Sequence, residues 1–346
     1  MTRRTPWSPI FDVERSTGDV VVGATPGTPP VRTVALVTSI AGSVSSPQDV
    51  ALVGDHIFMP GNVTSSVVAF DVSDPTSPSV TSTLTPLTGG AFNSINAQWC
   101  DTDGSTYLYV GSTWQLRVID ISDPSSMSVV GMTASESTNL AVSSGLIYDS
   151  GYCYCTVVSG DRLTVVDVST PASPAVAGTV SDGTNLNAPR GLIKDGDYVY
   201  VGGSDGIGVV DVSTPASPSV VDFLSMSGNG PYGLHVAGSN LFVPRTDPND
   251  VVSIDISTPT AIATDDSIDL IFDSFVSLVS ILTDRVVAMG NASGHVALVD
   301  ISDPTSLSQE SETESLLDEP RGAVSSGSYI FLAEQTYNGL RVLGVT

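Results

Sequence analysis

The sequence predicts an all-β protein, a seven-bladed β-propeller of four-stranded blades. The first observation is a phrase that recurs six times, in which three or four apolar residues precede an aspartate, an apolar residue, a serine, a variable residue and a proline. The second is its spacing, because successive aspartates lie 49, 47, 44, 44 and 45 residues apart. The six aspartates are Asp71, Asp120, Asp167, Asp211, Asp255 and Asp300. A fixed period in this range indicates a repeat architecture.

One repeat is predicted to form four short strands separated by turns. The repeat that follows Arg190 has runs of strand-forming residues at 191–194, 198–201, 207–210 and 219–224, with turn residues between them. Four strands of about five residues and four turns of about five fill roughly 44 residues. A single sheet of this kind cannot bury both of its faces, and radial packing of the sheets solves this problem.

The recurring phrase has a local cause at the end of the third strand. An aspartate accepts a hydrogen bond from the backbone amide two residues on, and a serine does so more weakly. Proline then removes a donor from the strand ladder and stops the strand. We therefore expect the six aspartates to cap turns. The alternative, calcium binding, needs several oxygens converging on one point, whereas these are spread one per blade.

The two ends of the chain are predicted to share the last blade. Residues 340–343 match the third strand of a seventh repeat, and Gly344 stands where the aspartate would be, 44 residues after Asp300. That repeat has no fourth strand of its own. Residues 32–40 form an orphan strand before the first repeat, so we expect it to complete the seventh blade and close the ring. The predicted domains are an extended N-terminal docking arm, 1–31, and the propeller, 32–346.

The repeats resemble a known family. The phrase from Leu163 to Pro171, Leu-Thr-Val-Val-Asp-Val-Ser-Thr-Pro, is similar to the LVIVD repeat. The resemblance covers residues 41–346 and rests on six good copies and one degraded copy, which ends at Gly344. It implies a propeller with a surface-associated role, because such repeats occur in propeller proteins that are often on or outside prokaryotic cells. It implies no catalytic residues, since the family motif is structural.

The composition is strongly acidic. The chain of 346 residues has a formal net charge of −25 at pH 7, and Lys194 is the only lysine among its 12 basic residues. This composition favours adaptation to high salt in a halophilic host, and an ordinary acidic secreted protein is the alternative. The charge argues against nucleic acid as a partner, which needs a basic face, and against anionic membrane surfaces.

The sequence shows no signal peptide and no transmembrane span, since no long apolar run follows its basic start. An intracellular protein, a renumbered mature form and a protein that leaves the cell inside a larger particle all fit this pattern. The first 31 residues are rich in Pro and Gly, and such termini are ordered only when tied down. We expect this arm to dock on its own propeller or on a neighbouring subunit, with Trp7, Ile10 and Phe11 as anchors.

Residues that commonly carry chemistry are few. Cys153 and Cys155 lie on one face of a predicted strand and could bind a metal or react, but together with Cys100 they are better explained as buried small apolar residues. The three histidines fall at non-equivalent places in different blades, which disfavours a metal centre in the channel. No nucleophile or phosphate-binding motif appears, so we expect no catalytic residue, no metal and no cofactor.

Equivalent positions in four repeats indicate one candidate binding site. Where the chain enters the innermost strand, the residue after a proline is Gln48, Arg190, Tyr232 or Arg321. These side chains should ring one mouth of the channel, which is a common place for ligands. Two arginines in a chain with so few cations could hold an anion. The alternative is that they satisfy acidic loops and backbone carbonyls of their own ring.

We therefore expect a non-catalytic propeller that acts as a structural or adhesion component of a surface assembly. The specific hypothesis is a virion structural protein of a halophilic host, capsid- or tail-associated, whose partners are other subunits bound through the arm and a cell-surface receptor or glycan. Its location would be the virion or the extracellular surface. The alternatives are a secreted or cell-surface propeller that binds glycan or protein, and an enzyme with a site at the channel mouth.

Overall fold

The computed structural model describes residues 32–63, 65–85, 99–140, 143–226, 233–270, 275–282, 284–290, 294–313 and 316–346. The described residues contain 28 strands, which form seven sheets of four antiparallel strands. This arrangement confirms the predicted all-β, seven-bladed propeller.

Within each blade the four strands run in order from the ring axis to the outer edge. β1 (Val34–Ile40) comes first in the chain and is the outermost strand of blade 7. Blade 1 has β2 (Ala51–Val53), β3 (His56–Gly61), β4 (Ser66–Asp71) and β5 (Ser79–Leu84). Blade 2 has β6 (Trp99–Thr102), β7 (Tyr107–Gly111), β8 (Leu116–Asp120) and β9 (Ser128–Met132). Blade 3 has β10 (Ser143–Asp149), β11 (Tyr152–Val157), β12 (Arg162–Asp167) and β13 (Ala175–Ser181).

The remaining blades repeat this order. Blade 4 has β14 (Leu192–Asp195), β15 (Tyr198–Gly203), β16 (Gly206–Asp211) and β17 (Ser219–Ser225). Blade 5 has β18 (His235–Ala237), β19 (Asn240–Thr246), β20 (Asn249–Asp255) and β21 (Ala263–Asp269). Blade 6 has β22 (Phe275–Leu282), β23 (Arg285–Gly290), β24 (Val296–Asp300) and β25 (Ser308–Thr313). Blade 7 has β26 (Pro320–Ser326), β27 (Tyr329–Glu334), β28 (Gly339–Val345) and β1.

The ring is closed by pairing between strands from the two ends of the chain. β1 runs antiparallel to β28, from Val34 opposite Val345 to Ile40 opposite Leu340. Two backbone hydrogen bonds between Thr33 and Thr346, of 2.9 and 3.0 Å, extend the pairing. The prediction that an N-terminal strand completes the last blade is therefore confirmed.

The recurring phrase caps the turn after each third strand. In all six copies the aspartate Oδ1 accepts a hydrogen bond of 2.8–2.9 Å from the backbone amide of the serine two residues on. Hydrogen bonds from the serine hydroxyl and amide hold the pKa of Asp71, Asp167 and Asp211 below the usual range. These contacts confirm that the aspartates cap turns.

The same turns also join neighbouring blades. The outermost strand of a blade bulges opposite the middle of the third strand, as β5, β9 and β13 show. At the bulge of β5, Ser82 donates a hydrogen bond of 2.5 Å to the carbonyl oxygen of Pro124 in blade 2. At the equivalent position of β9, Gly131 approaches blade 3 so closely that a Cβ would lie 2.0 Å from the carbonyl oxygen of Pro171. The phrase therefore ends a strand and also forms part of the contact between blades.

The apolar core lies between the blades. Seven clusters of buried side chains, each shared by two neighbouring blades, fill the seven junctions of the ring among the described residues. Successive side chains of a strand point to opposite faces, so one strand serves two junctions. In β12, Leu163 and Val165 pack towards blade 4, whereas Val166 packs towards blade 2.

Residues 1–31 lie outside the described residues, and with them Trp7, Ile10 and Phe11. Docking of the arm through these side chains therefore stays a prediction.

In the part of the chain that the structure describes, no helix has the length and hydropathy that crossing a bilayer requires.

Candidate functional site

A cavity of about 400 Å³ opens where the chain enters the innermost strands. We call it the mouth cavity, and six blades contribute to its lining. Its lining includes Gln48, Asp49, Val50, Trp99, Cys100, Asp101, Leu146, Ile147, Leu192, Leu234, Arg321, Ala323, Val324 and Gln335. Because the innermost strands of different blades meet only around the ring axis, the cavity is the mouth of the central channel.

A second cavity, of about 450 Å³, continues the mouth cavity along the channel. The two cavities share Val50, Asp101, Leu234, Ala323 and Val324. The second one extends to Thr102, His235 and Ser325, which lie further along their strands. The hollow therefore follows the innermost strands beyond the mouth.

The lining of the mouth cavity is divided by chemistry. Its charged and amide side chains come from blades 7, 1 and 2, and they are Gln48, Asp49, Asp101, Arg321 and Gln335. The side chains from blades 3, 4 and 5 are apolar, and they are Leu146, Ile147, Leu192 and Leu234. All the charged and amide residues therefore lie on one wall, whereas the opposite wall is apolar. The first wall also contains the apolar residues Val50, Trp99, Cys100, Ala323 and Val324.

Two of the four predicted mouth residues, Gln48 and Arg321, line this cavity. Arg321 donates hydrogen bonds from Nε and Nη2 to Oε1 of Gln335, at 2.8 and 2.5 Å. Gln335 in turn donates from Nε2 to the hydroxyl of Ser46 at 2.9 Å. Burial lowers the pKa of Arg321, although the charge of Glu319 opposes this. The guanidinium is held by a neutral amide of its own blade, in keeping with the structural alternative.

Arg190, a third predicted residue, is not part of the described lining of the cavity. Arg190 lies at the junction of blades 3 and 4, where its amide donates to the carbonyl oxygen of Gly202 at 2.8 Å. Its carbonyl oxygen accepts a hydrogen bond of 2.7 Å from the hydroxyl of Thr156 in blade 3. Tyr232 lies outside the described residues, although Gly233 beside it lines the cavity. Ligand binding by these four residues stays a prediction.

Two enclosed carboxylates in the mouth cavity were not singled out by the sequence analysis. Asp49 in blade 1 accepts a hydrogen bond of 3.1 Å from the backbone amide of Cys100 in blade 2. Asp101 in blade 2 accepts one of 2.7 Å from the backbone amide of Tyr148 in blade 3. Each carboxylate therefore links its own blade to the next one around the channel.

Enclosure raises the pKa of both carboxyls towards neutrality. Burial raises the pKa of Asp49 to about 7, against the hydrogen bonds from two backbone amides, and the charge of Asp101 adds to the rise. Burial raises the pKa of Asp101 to about 6. Both residues remain partly exposed to the channel, so they can exchange protons with solvent. The pair therefore changes charge close to neutral pH, where functional carboxylates often titrate.

One sequence signal could have found Asp49, because it directly follows Gln48, a residue that the alignment of repeats singled out. Asp101 had no such signal, since it lies inside β6, in the Trp-Cys-Asp-Thr stretch. The two carboxylates belong to different repeats and approach each other only because the innermost strands converge on the ring axis. Sequence spacing alone does not encode that convergence.

The cysteines are core residues, as the sequence analysis expected. Cys100 lies in the cluster between blades 1 and 2, and Cys153 and Cys155 lie together between blades 2 and 3. All three are buried free thiols. Burial raises the pKa of each thiol, that of Cys155 to about 12, which keeps them protonated and unreactive. Among the described residues, no three metal-ligating side chains lie together.

Comparison with known protein families identifies the repeats. The LVIVD repeat matches residues 46–85, 105–134, 149–182, 193–223 and 289–312. These segments fall in blades 1, 2, 3, 4 and 6. No curated protein matches the chain in sequence.

Solved structures with the same fold include both complexes and an enzyme. A chain of the mitotic checkpoint complex matches with a TM-score of 0.71 and 12% identity, over 96% of this chain and 98% of that one. The β-propeller domain of Cps50 (Swd1) from Myceliophteria thermophila matches with a TM-score of 0.67 and 13% identity, over 89% and 99%. Virginiamycin B lyase from Staphylococcus aureus, solved with quinupristin, matches with a TM-score of 0.67 and 8% identity, over 91% and 100%.

At such low identities the likeness to solved structures shows the fold alone. The same fold occurs in a protein complex and in an enzyme, the lyase. The matched repeats, their period and the closed ring together identify this chain as an LVIVD-repeat protein with a seven-bladed β-propeller fold.

Proposed function

We propose that this propeller is a non-catalytic binding protein, that its partner is another protein, and that it binds through its mouth face. The mouth face is the end of the ring that carries the mouth cavity and the turns between second and third strands, at 112–115 and 335–338 and at the described residues 62, 63 and 65. A repeat-built propeller supports this reading, because such scaffolds usually bind proteins, and one solved structure of the same fold belongs to a protein complex.

The observation that carries the proposal is a pair of exposed apolar side chains on the mouth face. Val63, in the turn between β3 and β4, is 72% exposed, and Trp114, in the turn between β7 and β8, is 42% exposed. These turns occupy equivalent positions in neighbouring blades, so both side chains lie at the same end of the ring. Exposed apolar and aromatic side chains on one face are typical of protein interfaces.

A non-catalytic role is supported by the contacts of the charged cavity residues. Asp49 and Asp101 accept backbone amides from neighbouring blades, and Arg321 is held by Gln335. Asp49 and Asp101 therefore help to hold neighbouring blades together, and Arg321 forms a contact within its own blade. Screens for hydrolase and lyase turnover should give no activity above background. Reproducible turnover that disappears in a folded Asp101→Asn variant would overturn the non-catalytic reading.

A crosslinking experiment tests the mouth face as the binding surface. A photoreactive phenylalanine analogue is placed at Trp114 and, as a control, at Val80, which is 45% exposed on the outer strand β5. After irradiation in the source culture, crosslinked partner should appear from position 114 and not from position 80. A partner crosslinked only from position 80 would contradict the mouth face as the binding surface.

The finer proposal is a structural or adhesion component of a virion or extracellular surface, in a halophilic host, with a receptor or glycan as a further partner. The net charge of −25 with a single lysine supports the halophilic part. The surface-associated role that the LVIVD resemblance implies supports the location. The cell-surface or secreted propeller that binds glycan or protein remains the alternative.

Fractionation of the source culture separates these two locations. Quantitative mass spectrometry of density-purified particles, washed cells and supernatant should find the protein at a fixed ratio to particle proteins. Enrichment in the cell envelope instead would discard the virion and favour the cell-surface alternative. Enrichment in the cytosol would contradict both.

A further inference from the structure

Among the described residues, Arg321 in the mouth cavity forms no ion pair with a carboxylate, although the charge of Glu319 acts on it. Other partly buried arginines of this acidic chain, Arg245, Arg285 and Arg341, each form an ion pair with a carboxylate. Arg321 instead donates to the neutral side-chain amide of Gln335. The neutral acceptor satisfies hydrogen-bonding groups of the guanidinium without forming an ion pair, so the side chain on the cavity wall can also attract an anionic group.

Two carboxylates, Asp49 and Asp101, line the same wall of the cavity as Arg321. Asp49 packs against Gly322, the residue after Arg321, so closely that a Cβ on Gly322 would lie 2.0 Å from Asp49 Oδ1. Asp101 follows in the next blade and raises the pKa of Asp49 through its charge. A cationic group in the cavity would interact favourably with both carboxylates, whose pKa values are raised mainly by burial.

The opposite wall is apolar and the space is large enough for a small molecule. Leu146, Ile147, Leu192 and Leu234 line it from blades 3, 4 and 5. The cavity volume of about 400 Å³ lies within the range of small-molecule sites, which begins near 300 Å³. A ligand that used the whole cavity would carry an ammonium group, an anionic group and an apolar side chain.

We infer that the mouth cavity binds a free α-amino acid with an apolar side chain. Asp49 and Asp101 hold the ammonium group, Arg321 holds the carboxylate, and the leucine and isoleucine wall packs the side chain. This small-molecule site goes beyond the protein-binding role proposed above and does not depend on it. The occupied cavity would also change the surface that a protein partner meets at the mouth.

The test is isothermal titration calorimetry of the full-length protein at pH 8 with four probes. L-Leucine has all three features; 3-methylbutylamine lacks the carboxylate, 4-methylpentanoate lacks the ammonium group, and glycine lacks the side chain. L-Leucine should bind at least about tenfold more tightly than each of the others, because each loses a charged hydrogen bond or the apolar contact. Equal affinities for the four probes, or no binding of L-leucine, would overturn the inference.

Two variants assign the charged subsites. Each should change the affinity for L-leucine relative to a probe that lacks one charged group, and a general loss of structure would not produce such a change. Asp101→Asn should weaken L-leucine about tenfold and leave 4-methylpentanoate unchanged. Arg321→Met should bring L-leucine to the affinity of 3-methylbutylamine. Asp197→Asn, in the exposed turn after β14 at the far end of the blade, is the matched control and should bind L-leucine as the wild type does.

Calorimetric binding of L-leucine that neither Asp101→Asn nor Arg321→Met alters would place the ligand elsewhere and overturn the inference. Thermal unfolding of each variant shows whether it is folded. If one variant does not fold, the four probes on the wild-type protein still decide the result.

Discussion

At the scale of single residues, two arginines at equivalent positions have opposite electrostatic surroundings. Arg117 in β8 is 1% exposed and donates to the hydroxyl of Ser112 and to Oε1 of Gln115, both at 3.2 Å. Arg341 in β28 forms an ion pair with Glu334, whose side chain is fully buried. The hydroxyl of Ser112 in blade 2 thus occupies the position that the carboxylate of Glu334 has in blade 7. Of these two arginines, only Arg341 therefore has its charge compensated.

This difference predicts that the same substitution, arginine to methionine, changes the free energy of unfolding by different amounts at the two positions. Arg117→Met should leave the free energy of unfolding within about 1 kcal/mol of the wild type, because it removes a buried charge that has no ionic partner. Arg341→Met should lower it by about 3 kcal/mol, because it leaves Glu334 buried without its cation. Urea denaturation of the two variants measures both values, and equal losses would contradict this account.

The enclosed carboxyls predict an unusual pH dependence of stability. A carboxyl whose pKa is higher in the folded protein than in the unfolded chain stabilises the fold when protonated, and this contribution is lost as the pH rises. For Asp49 the window runs from its ordinary pKa of 3.8 to about 7. In the wild-type protein, the free energy of unfolding should fall as the pH rises through this window. In Asp49→Asn this fall should be smaller by more than about 1.4 kcal/mol, which corresponds to one pKa unit.

Denaturant titrations at pH 5 and pH 8 measure this effect. The matched control is Asp211→Asn, because the pKa of Asp211 is lowered by its serine and its contribution is lost only as the pH falls below about 4. An identical change between pH 5 and pH 8 in the wild type and in Asp49→Asn would show that burial of Asp49 does not control the window.

Sequence reasoning at this scale succeeded where the cause was local. The hydrogen bond from Ser73 to Asp71 spans two residues and needs no knowledge of the ring, so it could be predicted. The contact of Asp101 with Tyr148 joins residues 47 apart and arises only from the packing of blades. Of the residues predicted for the channel mouth, Gln48 and Arg321 line the mouth cavity, and their binding role stays a prediction; the carboxylates Asp49 and Asp101 were not predicted.

At the scale of the strands, contacts between blades limit which residues a bulge tolerates. Gly131→Ala should lower the free energy of unfolding by about 3 kcal/mol, the upper end for overpacking, because the new Cβ would meet the carbonyl oxygen of Pro171. Gly160→Ala is the control, since its Cβ would lie an ordinary 3.4 Å from the guanidinium of Arg162. That variant should stay within about 0.5 kcal/mol of the wild type.

Chemical denaturation compares the two glycine variants. If Gly131→Ala were as stable as Gly160→Ala, blade 2 would have room to move away from blade 3, and the turn after Asp167 would not be a fixed contact.

The pattern of strands within a blade was predictable from the sequence for a different reason. Turn residues and runs of β-branched residues mark each strand, so β14 to β17 lie close to the four predicted runs.

At the scale of the whole molecule, ring closure depends on one strand. A chain that begins at residue 42 lacks β1, and β28 then becomes an open edge. Relative to a chain that begins at residue 32, we expect the free energy of unfolding to fall by at least about 2 kcal/mol, since Val34 and its strand lose their buried contacts. The open edge should also promote association.

Denaturation and light scattering of the two truncated chains test this prediction. Equal stability, with both chains monomeric, would show that the ring is held by the junctions between blades and that the shared sheet adds little.

The pairing of β1 with β28 also determines when the protein can finish folding on the ribosome. About 300 residues separate Ile40 from Gly339, and at roughly 5–20 residues per second β1 emerges about 15–60 s before its partner strand exists. The intervening blades can pack in order during that time, while an unpaired β1 stays available to neighbouring nascent chains. Slow translation would lengthen this exposure, so we expect polysomes to be the place where two copies of this protein exchange their first strands.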